Sequence, residues 1–211
     1  KQNLKANNPS QKQLDSLLEY YQNGRFNDAE KLAVSFTQEF PKHQFGWKVL
    51  GAILGKTGRN SDAVNANQTA VTLSPEDAAA HSNLGVTLQE LDRLDEAEAS
   101  FNQAIALKPD FAEAFWNLHG IQKTIQDGEY WIDKCLGADG NYVDARLTKA
   151  ALRFYQGDRN NFDELMQSEL KQHPYMRSFA WAFSLPNLPE LYFDKWCFFD
   201  AIVKKSIVSK P

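Results

Sequence analysis

The chain has 211 residues, 43% of them apolar and 24% charged, and a formal net charge of -4, which is the makeup of a soluble globular protein with room for one sizeable core or a short array. The acidic balance and the lack of a basic stripe argue against a nucleic-acid binder, no apolar run approaches the roughly 18 residues of a membrane helix, and the opening KQNLKANNPS has no signal-peptide core. A cytoplasmic protein is expected, and the two cysteines, Cys135 and Cys197, are too far apart for a metal or redox pair and read as small buried hydrophobes.

Residues 1–9 are polar and without periodicity, a lead-in. From 10 to 43, Leu14, Leu17 and Tyr20 form a helical stripe, Gly24 and Arg25 a turn, and Ala29, Phe36 and Pro41 the places of a second helix. Asn27, with Glu30 three residues on, reads as that helix's start. From 44 to 77 the first helix carries Trp47, Leu50, Gly51 and Leu54, Gly58 turns the chain, the second helix carries Ala63 and Ala70, and Pro75 closes the stretch. Ser74, Pro75 and Asp77 are expected to cap the next helix, with Ser74 accepting its orphan amides and Pro75 in its first position.

From 78 to 111 the pattern is clearest. His81, Leu84, Gly85 and Leu88 share one face of a first helix, Ala97, Phe101 and Ala104 one face of a second, and Pro109 ends the unit. Gly85 and Ala97 let two backbones approach closely while Leu84 and Phe101 fill the space beside them. Trp47, Leu50, Gly51, Ala63, Ala70 and Pro75 are answered, all at one constant spacing, by His81, Leu84, Gly85, Ala97, Ala104 and Pro109. Agreement at so many places in one register identifies a repeat.

This unit resembles the tetratricopeptide repeat, a helix, turn, helix of about 34 residues, and is nearest in look to the repeats of O-GlcNAc-transferase-like proteins. The resemblance implies an all-α fold, a right-handed α-α superhelix of about four helical hairpins closed by C-terminal capping helices. The array covers 10–176, in units at about 10–43, 44–77, 78–111, 112–142 and 143–176. The stretch at 10–43 departs from the pattern in having Ser16 and Leu17 where Leu then Gly is usual.

Residues 112–142 are the degraded member. Phe115, Trp116 and Leu118 continue the pattern, His119 replaces the usual Gly, and the turn is about three residues short, so the register returns only when Ile132 is set against Phe101 and Cys135 against Ala104. Gly137, Asp139 and Gly140 are expected to end the second helix early. The stretch at 143–176 restores a full unit with Leu147, Ala150, Ala151 and Phe154, then a Gly157 and Asp158 turn, Phe162, Leu165, Met166 and Pro174. The aromatic remainder, 177–211, is expected to cap the last repeat or to dock a following domain. The absence of an initial Met and the abrupt end at Lys210 and Pro211 suggest a fragment of a longer protein.

Catalysis needs convergent titratable groups. The four histidines, His43, His81, His119 and His173, do not converge in sequence, and His81 and His119 read as packing residues rather than metal ligands. Asp92, Asp95, Glu96 and Glu98 read as a solvated helix start. No catalytic residue, cofactor or metal is expected.

Function is expected instead in the concave groove, which the resemblance lines with one face of every first helix. Carried over by position, the lining includes Leu14, Leu18 and Tyr21, then Lys48 and Ala52, then Ser82, Asn83, Val86 and Gln89. Further along come Trp116, Asn117, Gly120 and Lys123, and finally Leu147, Thr148, Ala151 and Phe154. Asn83 and Asn117 occupy equivalent places, like the asparagine ladder by which the nucleocytoplasmic O-GlcNAc transferase holds peptide backbones; an amide suits that task because it both donates and accepts. Two locally capped or solvated asparagines are the alternative. Trp116 and Phe154 are candidate anchors, with packing under the degraded unit the alternative for Trp116. Lys48 alone matches the carboxylate clamp of the chaperone-binding members, so no clamp is expected. The chain reads as a non-catalytic protein or peptide-binding scaffold; the second reading is the substrate-recognition arm of a larger methyltransferase or glycosyltransferase. The expected partner is a protein or extended peptide, without nucleic acid or membrane, and the sequence leaves the oligomeric state open.

Overall fold

A computed structural model describes residues 8–155. Those residues form nine helices and no strand: α1 Gln11–Gln22, α2 Phe26–Glu39, α3 Gln44–Lys56, α4 Asn60–Leu73, α5 Ala78–Gln89, α6 Leu94–Leu107, α7 Ala112–His119, α8 Ile125–Ala138 and α9 Val143–Tyr155. The all-α expectation holds. The lead-in up to Asn7, the expected second helix with Phe162, Leu165 and Met166, His173, Cys197 and the aromatic tail lie outside the described residues. The chain divides into two compact units, Lys1–Lys123 and Thr124–Pro211.

In the first unit, the turn inside each hairpin is set by one residue in the left-handed region. Gly24 has φ 70°, Gly58 77° and Asp92 58°, each one repeat after the last. In that conformation the Arg25 N–H reaches back to the Tyr20 carbonyl at 2.9 Å and the Gly24 N–H to the Tyr21 carbonyl at 3.1 Å. The same crossed pair recurs at Arg59 to Leu54 and Gly58 to Gly55, then at Arg93 to Leu88 and Asp92 to Gln89. This is the Schellman arrangement, which satisfies the last carbonyls of a helix and turns the chain. Asp92 therefore belongs to a turn and not to a solvated helix start as its charge suggested.

Two expected caps also moved. Arg25 rather than Asn27 occupies the N-cap of α2, because the Schellman turn delivers the chain directly into the helix; its guanidinium binds the Asp28 carboxylate at 2.7 Å. Arg59 with Asp62 and Arg93 with Glu96 repeat that pair. At the other boundary Ser74 ends α4, and Asp77 caps α5 by accepting from the Ala80 N–H at 3.1 Å. The Asp77 N–H donates to the Ser74 carbonyl, closing the turn so that Asp77 arrives where the cap is needed.

Packing follows the small and large alternation. A methyl group on Gly85 would lie 2.5 Å from the Phe101 ring, so α5 and α6 touch where the glycine permits. On α3 the corresponding Gly51 faces Asn67, whose Oδ1 would be 2.0 Å from an added Cβ. Asn67 is 1% exposed at the place taken by Ala33 in α2 and Phe101 in α6. Its Nδ2 donates to Thr87 Oγ1 at 2.8 Å, and Thr87 Oγ1 donates to the Asn83 carbonyl at 2.8 Å, while Asn67 Oδ1 has no partner. Neighbouring units are also tied by rings: Trp47 Nε1–H donates to the Pro41 carbonyl and His81 Nε2 meets the Pro75 carbonyl, each at 2.9 Å. A carbonyl only accepts, so the proton of His81 sits on Nε2.

The row of first helices is continuous: α1 touches α3, α3 touches α5 and α5 touches α7, while α2, α4 and α6 pack on the first helix that follows them. The row ends short. α7 has 8 residues where α5 has 12. Thr124 then caps α8, accepting from the Asp127 N–H at 3.1 Å. The helix therefore opens at Ile125, where strict repetition of the Asn60 and Leu94 starts would have placed its opening at Gly128. Ile132 and Cys135 are fully buried at that shifted register, as the short turn implied, but α8 does not end early: its 14 residues to Ala138 equal those of α2, α4 and α6, and Gly137 lies inside it. In the second unit α8 packs on α9, and Lys149 pairs with Asp133 across them. Burial pushes the Cys135 thiol up to about 12, helped by the Asp139 and Asp144 carboxylates.

Candidate functional site

The inner face of the first unit is built from α1, α3, α5 and α7, and most residues placed there by position are on it. Tyr21 ends α1, half-buried, with its ring edge-on to Phe26 at 6.1 Å. Burial raises its phenol pKa first and the Glu113 carboxylate of α7 second. Leu18 is 40% and Val86 36% exposed, two of the three exposed large hydrophobics among the described residues; the third, Tyr130, lies in the second unit. Asn83 is half-buried; its carbonyl is taken up by Thr87 and Asn67, and no hydrogen bond engages its side-chain amide among the described residues. Gln89 lays its amide over Gly120, where an added Cβ would be 3.5 Å from Nε2. The Trp116 ring lies against His119, centroids 5.0 Å apart, so this histidine is a ring partner and not a ligand near His81.

Four placements differ from the sequence reading. Ser82 is only 2% exposed, because α7 covers it and the Asn117 amide reaches its hydroxyl at 3.4 Å. Leu147 is 1% exposed and faces the packing of α9, not solvent. Lys123 follows the end of α7 and sits in an exposed bend, since the helix that should have carried it stops at His119. Lys48 is on the face but is not free: its Nζ binds Asp77 Oδ2 at 2.7 Å, and Gln44 donates to the same oxygen. Burial tends to raise the Asp77 pKa, but the hydrogen bonds from Lys48 and Gln44 outweigh it and hold this carboxyl below its ordinary value. Leu147 and Phe154 belong to the second unit, and nothing is described of the Phe154 side chain.

Two residues of this region escaped the sequence reading. Glu113 holds the same register place as Ala79, Phe45 and Gln11, and only its effect on Tyr21 reveals it. Asn67 could have been found by noting an amide where the next unit has Phe101. No group of three or more His, Cys, Asp or Glu placed to hold a metal occurs among the described residues, nor does a helix long and apolar enough to cross a membrane.

Hairpins repeating at a fixed interval, a glycine seated against the following helix, and a row of first helices forming one face define a tetratricopeptide-repeat fold. The family model described as Tetratricopeptide repeat matches residues 78–111, one unit of the array. Among curated proteins it is 33% identical over 103 residues to the Protein O-mannosyl-transferase TMTC1 of Mus musculus, a match covering 47% of this chain and 11% of that one. The chain thus spans about a tenth of that relative's length. Among solved structures, TTC0263, a thermophilic TPR protein of Thermus thermophilus, superposes with a TM-score of 0.65 at 16% identity over 94% of this chain and 98% of its own. A Thermobaculum terrenum O-GlcNAc transferase mutant gives 0.56 at 22% identity, covering 59% and 25%. The first TPR of Spaghetti (RPAP3), solved bound to an HSP90 peptide, gives 0.50 at 19% identity, covering 52% and 86%. At these identities the structures show the fold.

Proposed function

We propose that this protein is a non-catalytic, cytoplasmic interaction scaffold that holds an extended protein segment on the inner face of α1, α3, α5 and α7. The observation carrying this reading is the Asn83 amide, unengaged and one helical turn from exposed Val86 on a face where Lys48 and Ser82 are already paired. Such an amide pairs with peptide N–H and C=O groups whatever the side-chain sequence, and Asn117, whose amide contact is 3.4 Å long, can turn to a ligand at little loss. Trp116 flanks them as an anchor. The peptide-bound structural neighbour supports a peptide as the occupant. The test is to pan a displayed peptide library on the immobilised protein and assay the enriched pool against Asn83→Ala and Trp116→Ala. Binding should fall about tenfold for each, with Asn83→Ala unchanged in melting. An enriched pool that binds both variants as well as the parent refutes the reading.

The resemblance to a named O-mannosyl-transferase over a tenth of its length and to an O-GlcNAc transferase favours one second reading, the substrate-recognition arm of a larger transferase. The full open reading frame decides it: a glycosyltransferase or methyltransferase domain in the same frame supports it, and its absence removes it.

A further inference from the structure

We infer that the segment held on this face is an internal, apolar stretch of extended chain carrying a cationic side chain, rather than a free terminal carboxylate or an acidic peptide. This rests on the reading that the inner face binds peptide.

Three observations lead to it. First, the cation that would receive a carboxylate is already used. Lys48 is bound at 2.7 Å to Asp77, which also accepts from Gln44 and from the Ala80 amide at the start of α5. Freeing it would cost an ion pair and loosen a helix cap together.

Second, the floor of the face is apolar and alternates in size. Register places 18, 52, 86 and 120 hold Leu18, Ala52, Val86 and Gly120, one from each first helix or its end. Leu18 and Val86 project into solvent, while the small residues between and beyond them leave room for a ligand's own side chains. Adjacent packed helices lie about 10 Å apart, so two steps span at most about 20 Å, the length of about six extended residues. The ligand this fits has two apolar side chains no more than about six residues apart.

Third, an exposed carboxylate stands on this face without a salt bridge. Glu113 lies in the first turn of α7, in the register place of Ala79, Phe45 and Gln11, and makes no ion pair among the described residues; its charge also helps to raise the Tyr21 pKa. A Lys or Arg of the ligand lying between α1 and α7 would be paired there, whereas an acidic side chain would meet a like charge.

The test uses fluorescein-labelled, N-acetylated, C-amidated decapeptide pools, read by fluorescence anisotropy on the whole chain. One pool has two leucines six residues apart and a lysine at each flanking position in turn; the second has glutamate for lysine; the third has serine for both leucines; the fourth is the third with a free C-terminal carboxylate. The first pool should bind about tenfold tighter than the others. Glu113→Gln should bring the first and second pools level, and Leu18→Ser or Val86→Ser should weaken the first about tenfold while leaving the third as it was. Both substitutions are at exposed positions, so melting checks that the fold is retained. Equal or tighter binding of the glutamate or free-carboxylate pool overturns this inference and leaves the peptide-binding reading standing. If no pool binds, both fall.

Discussion

Gly85→Ala tests the packing argument most directly. In a helix interior, replacing Gly by Ala gains about 1 kcal/mol of propensity. Here the new Cβ would stand 2.5, 2.7 and 2.9 Å from three atoms of the Phe101 ring, and that ring is fully buried with no open side to move into. Overpacking of this kind costs about 1 to 3 kcal/mol, and three contacts this close put it at the upper end, leaving a net loss of about 2 kcal/mol. Gly55 is the internal control: it also lies in a helix, α3, but an added Cβ meets nothing within 4 Å, so Gly55→Ala should gain up to about 1 kcal/mol. Urea denaturation followed by far-UV circular dichroism reads both. A Phe101→Leu change in the Gly85→Ala background should recover part of the loss, because a branched aliphatic clears the methyl; the two effects will then be non-additive. Gly85→Ala as stable as the parent would show that the contact between α5 and α6 is not the one described.

Three further outcomes follow from the geometry. Asp92 sits at φ 58° where the two preceding turns have glycine, so Asp92→Gly should stabilise by up to about 1 kcal/mol and Gly58→Ala should destabilise by about as much, by the same denaturation assay; a loss on Asp92→Gly would contradict the turn. Asp77→Asn keeps a capping oxygen but removes the charge facing Lys48 and should cost about 1 kcal/mol or less near neutral pH. Since the folded carboxyl titrates below its reference value of 3.8, this difference is fully present above about pH 4 and should shrink as pH falls from there through the folded value; a gap that grows as the pH is lowered below about 4 would rule out the ion pair as its source. With its pKa near 12 in place of 9.0, Cys135 should be alkylated by iodoacetamide about a thousandfold more slowly at pH 8 than when unfolded, measured in a Cys197→Ser background. Equal rates would place the thiol in solvent.

What the sequence made legible was what repeats. The repeat register, the glycine facing the following helix, and the short turn that shifts Ile132 and Cys135 are properties of one unit compared with its neighbour, and counting residues exposes them. The caps were harder. Around Ser74, Pro75 and Asp77 three residues suit a helix start, and only the closed backbone turn selects Asp77. Least legible were the links between units. Lys48 meets an acid 29 residues away, and Ser82 is covered by an amide 35 residues on; nothing within a single repeat records either contact. For that reason the floor of the candidate site, Val86 with Leu18, follows from register alone, while the availability of its polar groups does not.

Asn67 bears on how an array of near-copies keeps its order. Across the junction of α4 and α5 the amide donates to the Thr87 hydroxyl and, at 3.3 Å, to the Asn83 carbonyl, and Thr87 is the one side chain that matches it; one repeat earlier and one repeat later that place holds Ile53 and Ile121, both buried. If α4 docked on a first helix other than α5, the amide would be buried against isoleucine, at a cost of about 1 to 3 kcal/mol for its lost partner. Units that share a fold and a period could otherwise exchange neighbours during folding, or between two chains, with little change in apolar contact. A hydroxyl present at one junction alone makes that junction distinguishable from the rest. The unpaired Asn67 oxygen is then the residual cost of giving the array a fixed order.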